Sequence, residues 1–440
     1  MDLHQLEKRP DDDGYLFGRG AAWFAFAMTI SLMLFDYVDR QVIVSLFPFL
    51  KAEWNLSDKQ LGALVSIVSI TVAAGALPVA LLADRVSRVK SIVAMAVIWS
   101  VATISCMWTR NFGQLFAARA AVGLGEAGYG SVGAALIASH FPARMRGTLL
   151  AAFFAAASVG SVLGVLLGGV IAARWGWQAA FGVVGIPGLL LALLYLKVRD
   201  YRTVSLTPAL EAKRRSLPQA VGHIARLLAR SRTMLWVCIG GAAQLIVVSA
   251  LWSWLPSFLN RVHGIAPQQA AIKAALVVLA GAAGAVIWGA LVDRVGTRRP
   301  RRKLAAMAVL CLVAMALLAA AFGLSLSPQS QFAVIALGGF VATCTIGPVS
   351  AIVIDVIHPG VRATGSSVLA LFQNLFGLAA GPFLAGVLSD AWGLVPALTA
   401  MPFFALLAVA AFLLAARSYE AEKARTVEPA AVPAAAAAAA

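Results

Sequence analysis

Leu81-Leu82-Ala83-Asp84-Arg85-Val86-Ser87-Arg88 returns 209 residues later as Ala290-Leu291-Val292-Asp293-Arg294-Val295-Gly296-Thr297-Arg298. A second echo follows each copy. His140-Phe141-Pro142 with Arg146-Gly147-Thr148 is matched by His358-Pro359 with Arg362-Ala363-Thr364-Gly365. Two echoes in the same order mark a chain built from two similar halves.

What lies around these echoes decides the solvent. The hydrophobic residues make up 61% of the 440 and the charged ones only 12%. A soluble domain has roughly 45–50% and 25%. A cytosolic enzyme and a disordered chain are both excluded. Runs of about 20 apolar residues suit a bilayer-crossing helix. Twelve such runs are readable, near 23–49, 61–82, 91–109, 111–140, 147–173, 176–196, 233–260, 274–292, 304–326, 332–354, 363–389 and 391–416. Ten of them contain no Lys, Arg, Asp or Glu. The reading is therefore an all-α integral membrane protein with twelve transmembrane helices in two six-helix bundles. Repeats running in the same direction are related by an axis along the membrane normal.

The boundaries follow. Residues 1–22 form a polar cytoplasmic segment, and 23–196 form the first bundle. Residues 197–232 form a basic cytoplasmic linker, 233–416 the second bundle, and 417–440 a cytoplasmic tail ending in an alanine run. The start is polar, with Asp11, Asp12 and Asp13, unlike a cleavable signal peptide. The first apolar run is expected to stay as an anchor.

The net charge of +16 would suggest nucleic acid in a soluble protein. In a membrane protein basic loops set orientation. With the N-terminus inside, the inner segments hold 27 Lys and Arg and the outer loops six, Lys51, Lys59, Arg110, Arg174, Arg261 and Lys273. Both termini are expected in the cytoplasm of a cell (inner) membrane protein, with no nucleic-acid partner.

Arg40 and Arg119 lie within apolar runs, together with Asp36, Asp39 and Glu126. Each charge at mid-membrane costs roughly 2.5–3.5 kcal/mol on insertion scales, so such groups are functional by default. Asp36, Asp39 and Arg40 share a helix face at i+3 and i+4, and Arg119, Gly123 and Glu126 do so at i+4 and i+7. Burial disfavours an ionised carboxyl and a nearby arginine favours it. Asp39 and Glu126 are thus candidate proton carriers, Asp39 first, with Asp36 as an additional acid. Arginine suits phosphate or carboxylate through its planar fork, so Arg40 and Arg119 are candidates for an anionic head group.

The loop motifs resemble the signature of the major facilitator superfamily over essentially the whole chain. Gly289 matches the glycine that the family places before the acid, whereas the first copy has Ala80. Asp36-Tyr37-Val38-Asp39-Arg40, the Arg119 to Tyr129 stretch with Gly123, Gly125 and Glu126, and Trp254-Leu255-Pro256-Ser257 resemble the spinster-like branch. The anion:cation symporter branch shares the first two features. The resemblance implies the major facilitator fold and alternating access. It also implies gating by Asp84, Arg85, Arg88, Asp293, Arg294 and Arg298 on the inner face. Its central cavity would be lined by Tyr37 and Tyr129 in the first half. Trp252, Trp254, Thr343, Gln373 and Asn374 would supply the second.

The chain then reads as a secondary active transporter, not an enzyme, moving an amphipathic organic anion such as a lysolipid or sphingoid phosphate. Proton coupling and a monomer acting with substrate, protons and bilayer are expected. A proton symporter of a small organic acid is one alternative, and an uncoupled lipid scramblase or channel-like conduit another. No phosphate loop G-x-x-x-x-G-K-[ST] is present, so ATP is not the driver. Four scattered cysteines and five histidines show no metal spacing, and no cofactor is expected. Gly160, Gly164 and Gly168 recur every fourth residue, spacing that lets helix backbones approach closely.

Overall fold

The computed structural model describes residues 15–85, 87–200, 231–296, 301–357 and 362–427. Among the described residues, twelve helices are long and apolar enough to cross a membrane. They are α1 (Arg19–Trp54), α2 (Asp58–Ala76), α3 (Arg88–Trp108), α4 (Phe112–His140), α5 (Arg144–Trp175) and α6 (Trp177–Tyr195). The second set is α7 (Arg232–His263), α8 (Pro267–Gly296), α9 (Arg301–Gly323), α10 (Pro328–Asp355), α11 (Gly365–Trp392) and α12 (Leu394–Ala424). The helix of α2 continues to Arg85. That of α12 runs on to Val427, past the apolar run that ends at Ala416.

Large apolar side chains remain on the surface, among them Val286 at 73% and Leu190 at 56% exposure. In water such a surface would aggregate; against hydrocarbon it costs nothing. Helix starts use ordinary caps. Asn111 accepts from Gln114 N at 3.0 Å, and Ser327 from Ser330 N at 3.2 Å.

Of the described spans that the apolar pattern presents as continuous, α12 is interrupted by a 3-10 turn at Met401–Phe403, and four more are locally irregular. In α1 a tighter turn occupies Ile43–Leu46. In α4 the helix ends at Glu126 and restarts at Tyr129. A 3-10 turn, Thr343–Thr345, interrupts α10, and a π-helical segment, Gln373–Leu378, interrupts α11. An apolar run reports length and solvent, and these breaks change neither.

Packing divides the chain into two compact units. The first comprises residues 1–206, 249–279 and 379–398. Its α1 and α5 touch along the glycine ladder. A side chain at Gly160, Gly164 or Gly168 would collide with the carbonyl oxygens of Leu34, Val38 and Val42 in turn. The repeat of four in α5 thus meets a repeat of four in α1, as small-xxx-small spacing leads one to expect. Beside it, Tyr129 donates to Thr29 O at 2.6 Å, and the Thr29 and Tyr195 hydroxyls lie 2.7 Å apart. Trp99 packs edge-on against Tyr129.

The second unit comprises residues 207–248, 280–378 and 399–440. Phe412 fills the space beside Gly240, and Val349 that beside Gly241. Gln244 donates to Ala342 O at 2.9 Å, and Thr343 to Gly281 O at 2.8 Å. The first bond satisfies a main-chain oxygen at the α10 turn, where helical partners are lost, and the second ties the turn to α8.

Candidate functional site: an ionic cluster between α1 and α4

The five intramembrane charges all fall in the first unit and come together. Arg40 Nε lies 2.9 Å from Asp36 Oδ1 on its own helix and 2.9 Å from Glu126 Oε2 on α4. Arg119 Nη1 lies 3.0 Å from Asp39 Oδ1 and also donates to the Asp39 carbonyl at 3.3 Å. The faces read from spacing do meet. The partners are exchanged between helices, however: α1 supplies the acid for Arg119, and α4 supplies an acid for Arg40. Spacing along one helix gives a face and not the neighbour that the face meets.

Burial is nearly complete. Arg119 is 0% exposed, Asp39 1% and Glu126 2%. Three acids and two arginines leave one formal negative charge. Removing one member of such a cluster would strand a charge in a low dielectric.

The two halves of the cluster differ in how they are held. Asp39 is fixed on both oxygens, by Arg119 and by a short hydrogen bond donated by Thr103 of α3. Glu126 is near Arg40, yet neither of its buried oxygens accepts a hydrogen bond. The attraction there is by charge and distance without aligned donors. Two nitrogens of Arg119, Nε and Nη2, are likewise buried without an acceptor.

Local backbone explains the position of Glu126. Ala127 is extended (ψ 121°) and Gly128 has φ 83°, a left-handed conformation that disfavours any side chain. Glu126 is therefore the last residue of a half-helix. Gly123, one turn before it, has no room for a Cβ against Thr71 and Val68 of α2, so α2 lies close to α4 at this level.

The remaining candidates separate. Tyr37 lies beside Arg40, with the guanidinium 5.2 Å from its ring centre. Tyr129 is fully buried and its hydroxyl is engaged by Thr29 O. Trp254 is fully buried and donates to Pro382 O at 3.0 Å. Thr343 is occupied by main-chain oxygens of α8 and α10. Trp252 keeps a buried indole N–H without an acceptor. Gln373 and Asn374 open the π-helical segment of α11, and Asn374 donates to Ala370 O at 2.9 Å. π-Helical segments occur frequently at functional sites.

Of the gating candidates, Arg298 and the side chains of Asp84 and Arg85 lie outside the described residues. Arg88 opens α3 and Arg294 lies in the last turn of α8. Asp293 is 2.8 Å from Lys303. At the matching end of α10, Asp355 accepts from Tyr419 at 2.6 Å and from Lys423 at 3.0 Å. Thr103 is the site residue that spacing missed. Its only sequence signal is a hydroxyl inside an uncharged run.

Twelve apolar helices, a repeated loop motif and an intramembrane ionic cluster define a multi-pass membrane transporter. The family model described as Major Facilitator Superfamily matches residues 29–380, and the chain belongs to that superfamily. Its spinster-like character is supported by relatives. A zebrafish (Danio rerio) protein called spinster homolog 3 is 26% identical over 392 residues, covering 84% of this chain and 77% of its own. An MFS-type efflux pump of Mycolicibacterium smegmatis is 29% identical over 375 residues, covering 85% of this chain and 86% of its own. The fold matches a crystal structure of a bacterial homologue of the human lysosomal transporter spinster, inward-facing and unoccupied. The TM-score is 0.81 at 24% identity, over 92% of this chain and 99% of that one. These relatives are transporters, and the chain is accordingly a transporter of a small-molecule substrate and not an enzyme.

Proposed function

We propose that this chain is a proton-coupled secondary transporter of an amphipathic organic anion, of the lysolipid or sphingoid-phosphate kind. It works as a monomer by alternating access. The distribution of basic residues supports cytoplasmic termini, with the Asp58 end of α2 at the outer face.

The observation that carries the reading is the unequal holding of the two acids. Protonating Asp39 would forfeit an ion pair and disturb two hydrogen bonds. Protonating Glu126 breaks no hydrogen bond. We therefore put Glu126 ahead of Asp39, reversing the order suggested by sequence.

A proton on Glu126 removes one of the two negative partners of Arg40. The guanidinium then has capacity for an anionic head group, and Tyr37 lies beside it. Proton and anion thus favour each other's binding, which couples them in the same direction. The reciprocal coupling is required by linkage. Asp36 remains to keep Arg40 oriented. Trp252, in the same compact unit, keeps a buried indole N–H without a hydrogen-bond partner and suits the linkage of such a substrate.

The test is uptake into proteoliposomes with an imposed pH gradient, using a lysophospholipid and, separately, a small carboxylate. The expected result is gradient-driven uptake of the lysophospholipid, reduced at least about tenfold in Glu126→Gln, a change of roughly 1.4 kcal/mol or more. Uptake of the carboxylate alone would favour the symporter of a small organic acid. Equal uptake with and without the gradient would favour an uncoupled conduit.

A further inference from the structure

Asp58 opens α2 and is 4% exposed, yet it has no part in the ionic cluster and belongs to no recognised motif. Its carboxylate gathers three donors. Arg261 Nη1, from the end of α7, lies 2.9 Å from Oδ1 and 2.7 Å from Oδ2. Ser389 of α11 donates at 2.5 Å and Lys51 of α1 at 2.5 Å. One residue along α11, Asp390 accepts from the main-chain N–H groups of Asp58 and Lys59, both at 2.8 Å. A carboxylate from one helix thereby caps the first turn of another. Two acids and two bases balance.

Below this ring α2 and α11 approach closely at two glycines. A Cβ at Gly386 would strike Asp58 O, and one at Gly62 would strike Pro382 O. Ser66 donates across the contact to Ala379 O at 2.6 Å and is 3% exposed. Trp254 closes it from the α7 side through its bond to Pro382 O, and Arg261 sits 5.8 Å above its ring.

We propose that Asp58, Arg261 and Asp390 form an outer gate that holds α2 against α11 and parts when the outer face opens. The location suits a reversible contact. Arg261 and Lys51 are partly exposed, at 23% and 37% of their side chains. When the helices separate, water is at hand to solvate every charge released. A buried pair deep in the bilayer would pay the full desolvation cost instead. Beneath the ring, Gly62 and Gly386 contribute no side chain that would hinder separation. The sequence does not repeat Asp58 in the second half. The 209-residue offset puts Pro267, the first residue of α8, where α2 has Asp58. The close contact of Gly169 of α5 on Ala271 of α8 is apolar.

This inference rests on the alternating-access reading, but its test needs neither substrate nor protons. The full chain carries Ser66→Cys, with the four native cysteines replaced by alanine. A membrane-impermeant maleimide is added to right-side-out vesicles. The single thiol introduced on α2 is expected to react slowly in this parent. Asp58→Asn and Arg261→Gln are each expected to raise its rate about tenfold, and Asp390→Asn to raise it less. Unchanged rates in folded Asp58→Asn and Arg261→Gln would overturn the gate. So would failure of both variants to fold, since that would make the ring a structural pin. Faster labelling with no pH-driven uptake in the parent would uphold the gate and reject the proton coupling.

Discussion

The α1–α4 pair and its counterpart, α7–α10, share architecture and differ in charge. Counting back from the echoed His140 and His358, Glu126 corresponds to Cys344 and Arg119 to Leu337. The 209-residue offset of the loop motif places Val248 opposite Asp39 and Ser249 opposite Arg40. Both α4 and α10 are interrupted at matching places, after Glu126 and at Thr343–Thr345. In α10, protein groups occupy the turn: Gln244 binds the carbonyl of Ala342, and Thr343 that of Gly281. In α4 the break presents a carboxylate without hydrogen bonds. The interruption therefore belongs to the shared architecture, and the charge belongs to the work of one half.

Four changes would break or sharpen that contrast. The largest effect is expected from Arg119→Ala, which leaves Asp39 buried and unpaired. Removing one partner of a buried pair costs about 3–5 kcal/mol. Thermal unfolding in detergent should show it, and adding Asp39→Asn should recover most of the loss. Next is Leu337→Arg, which puts a charge in the second half where no acid awaits it. An insertion cost of roughly 2.5–3.5 kcal/mol is expected. It would be read as lost membrane yield, and normal yield would mean that the second half tolerates charge after all. Thr103→Val removes a hydrogen bond to a charged group, worth about 1.5–3 kcal/mol. It should lower the melting temperature and loosen Asp39. Gly164→Ala inserts a methyl group against Val38 O. Overpacking of this kind costs about 1–3 kcal/mol, and a stability scan should place it at or below Thr103→Val.

Much of this is legible in the sequence, for identifiable reasons. Twelve spans are readable because a bilayer demands apolar length and little else. The ionic cluster is readable because charge is rare in such spans, so Asp36, Asp39, Arg40, Arg119 and Glu126 stand out. Their pairing is not readable, since one helix face does not name its neighbour. Trp254 and Tyr129 draw attention as aromatic side chains with polar tips, but both tips are spent on main-chain oxygens. Asp58 and Arg261 escape notice for the opposite reason. Lying at span ends, they count only as ordinary loop charges, and 203 residues separate them. The break at Gly128 is hidden in a continuous apolar run.

The unequal holding of Asp39 and Glu126 is the centre of the account. It is tested most directly by infrared difference spectroscopy of the full-length protein in lipid across a pH step. The account predicts a buried carboxylic-acid carbonyl band that vanishes in Glu126→Gln and persists in Asp39→Asn. A band that persists in Glu126→Gln and vanishes in Asp39→Asn would contradict it.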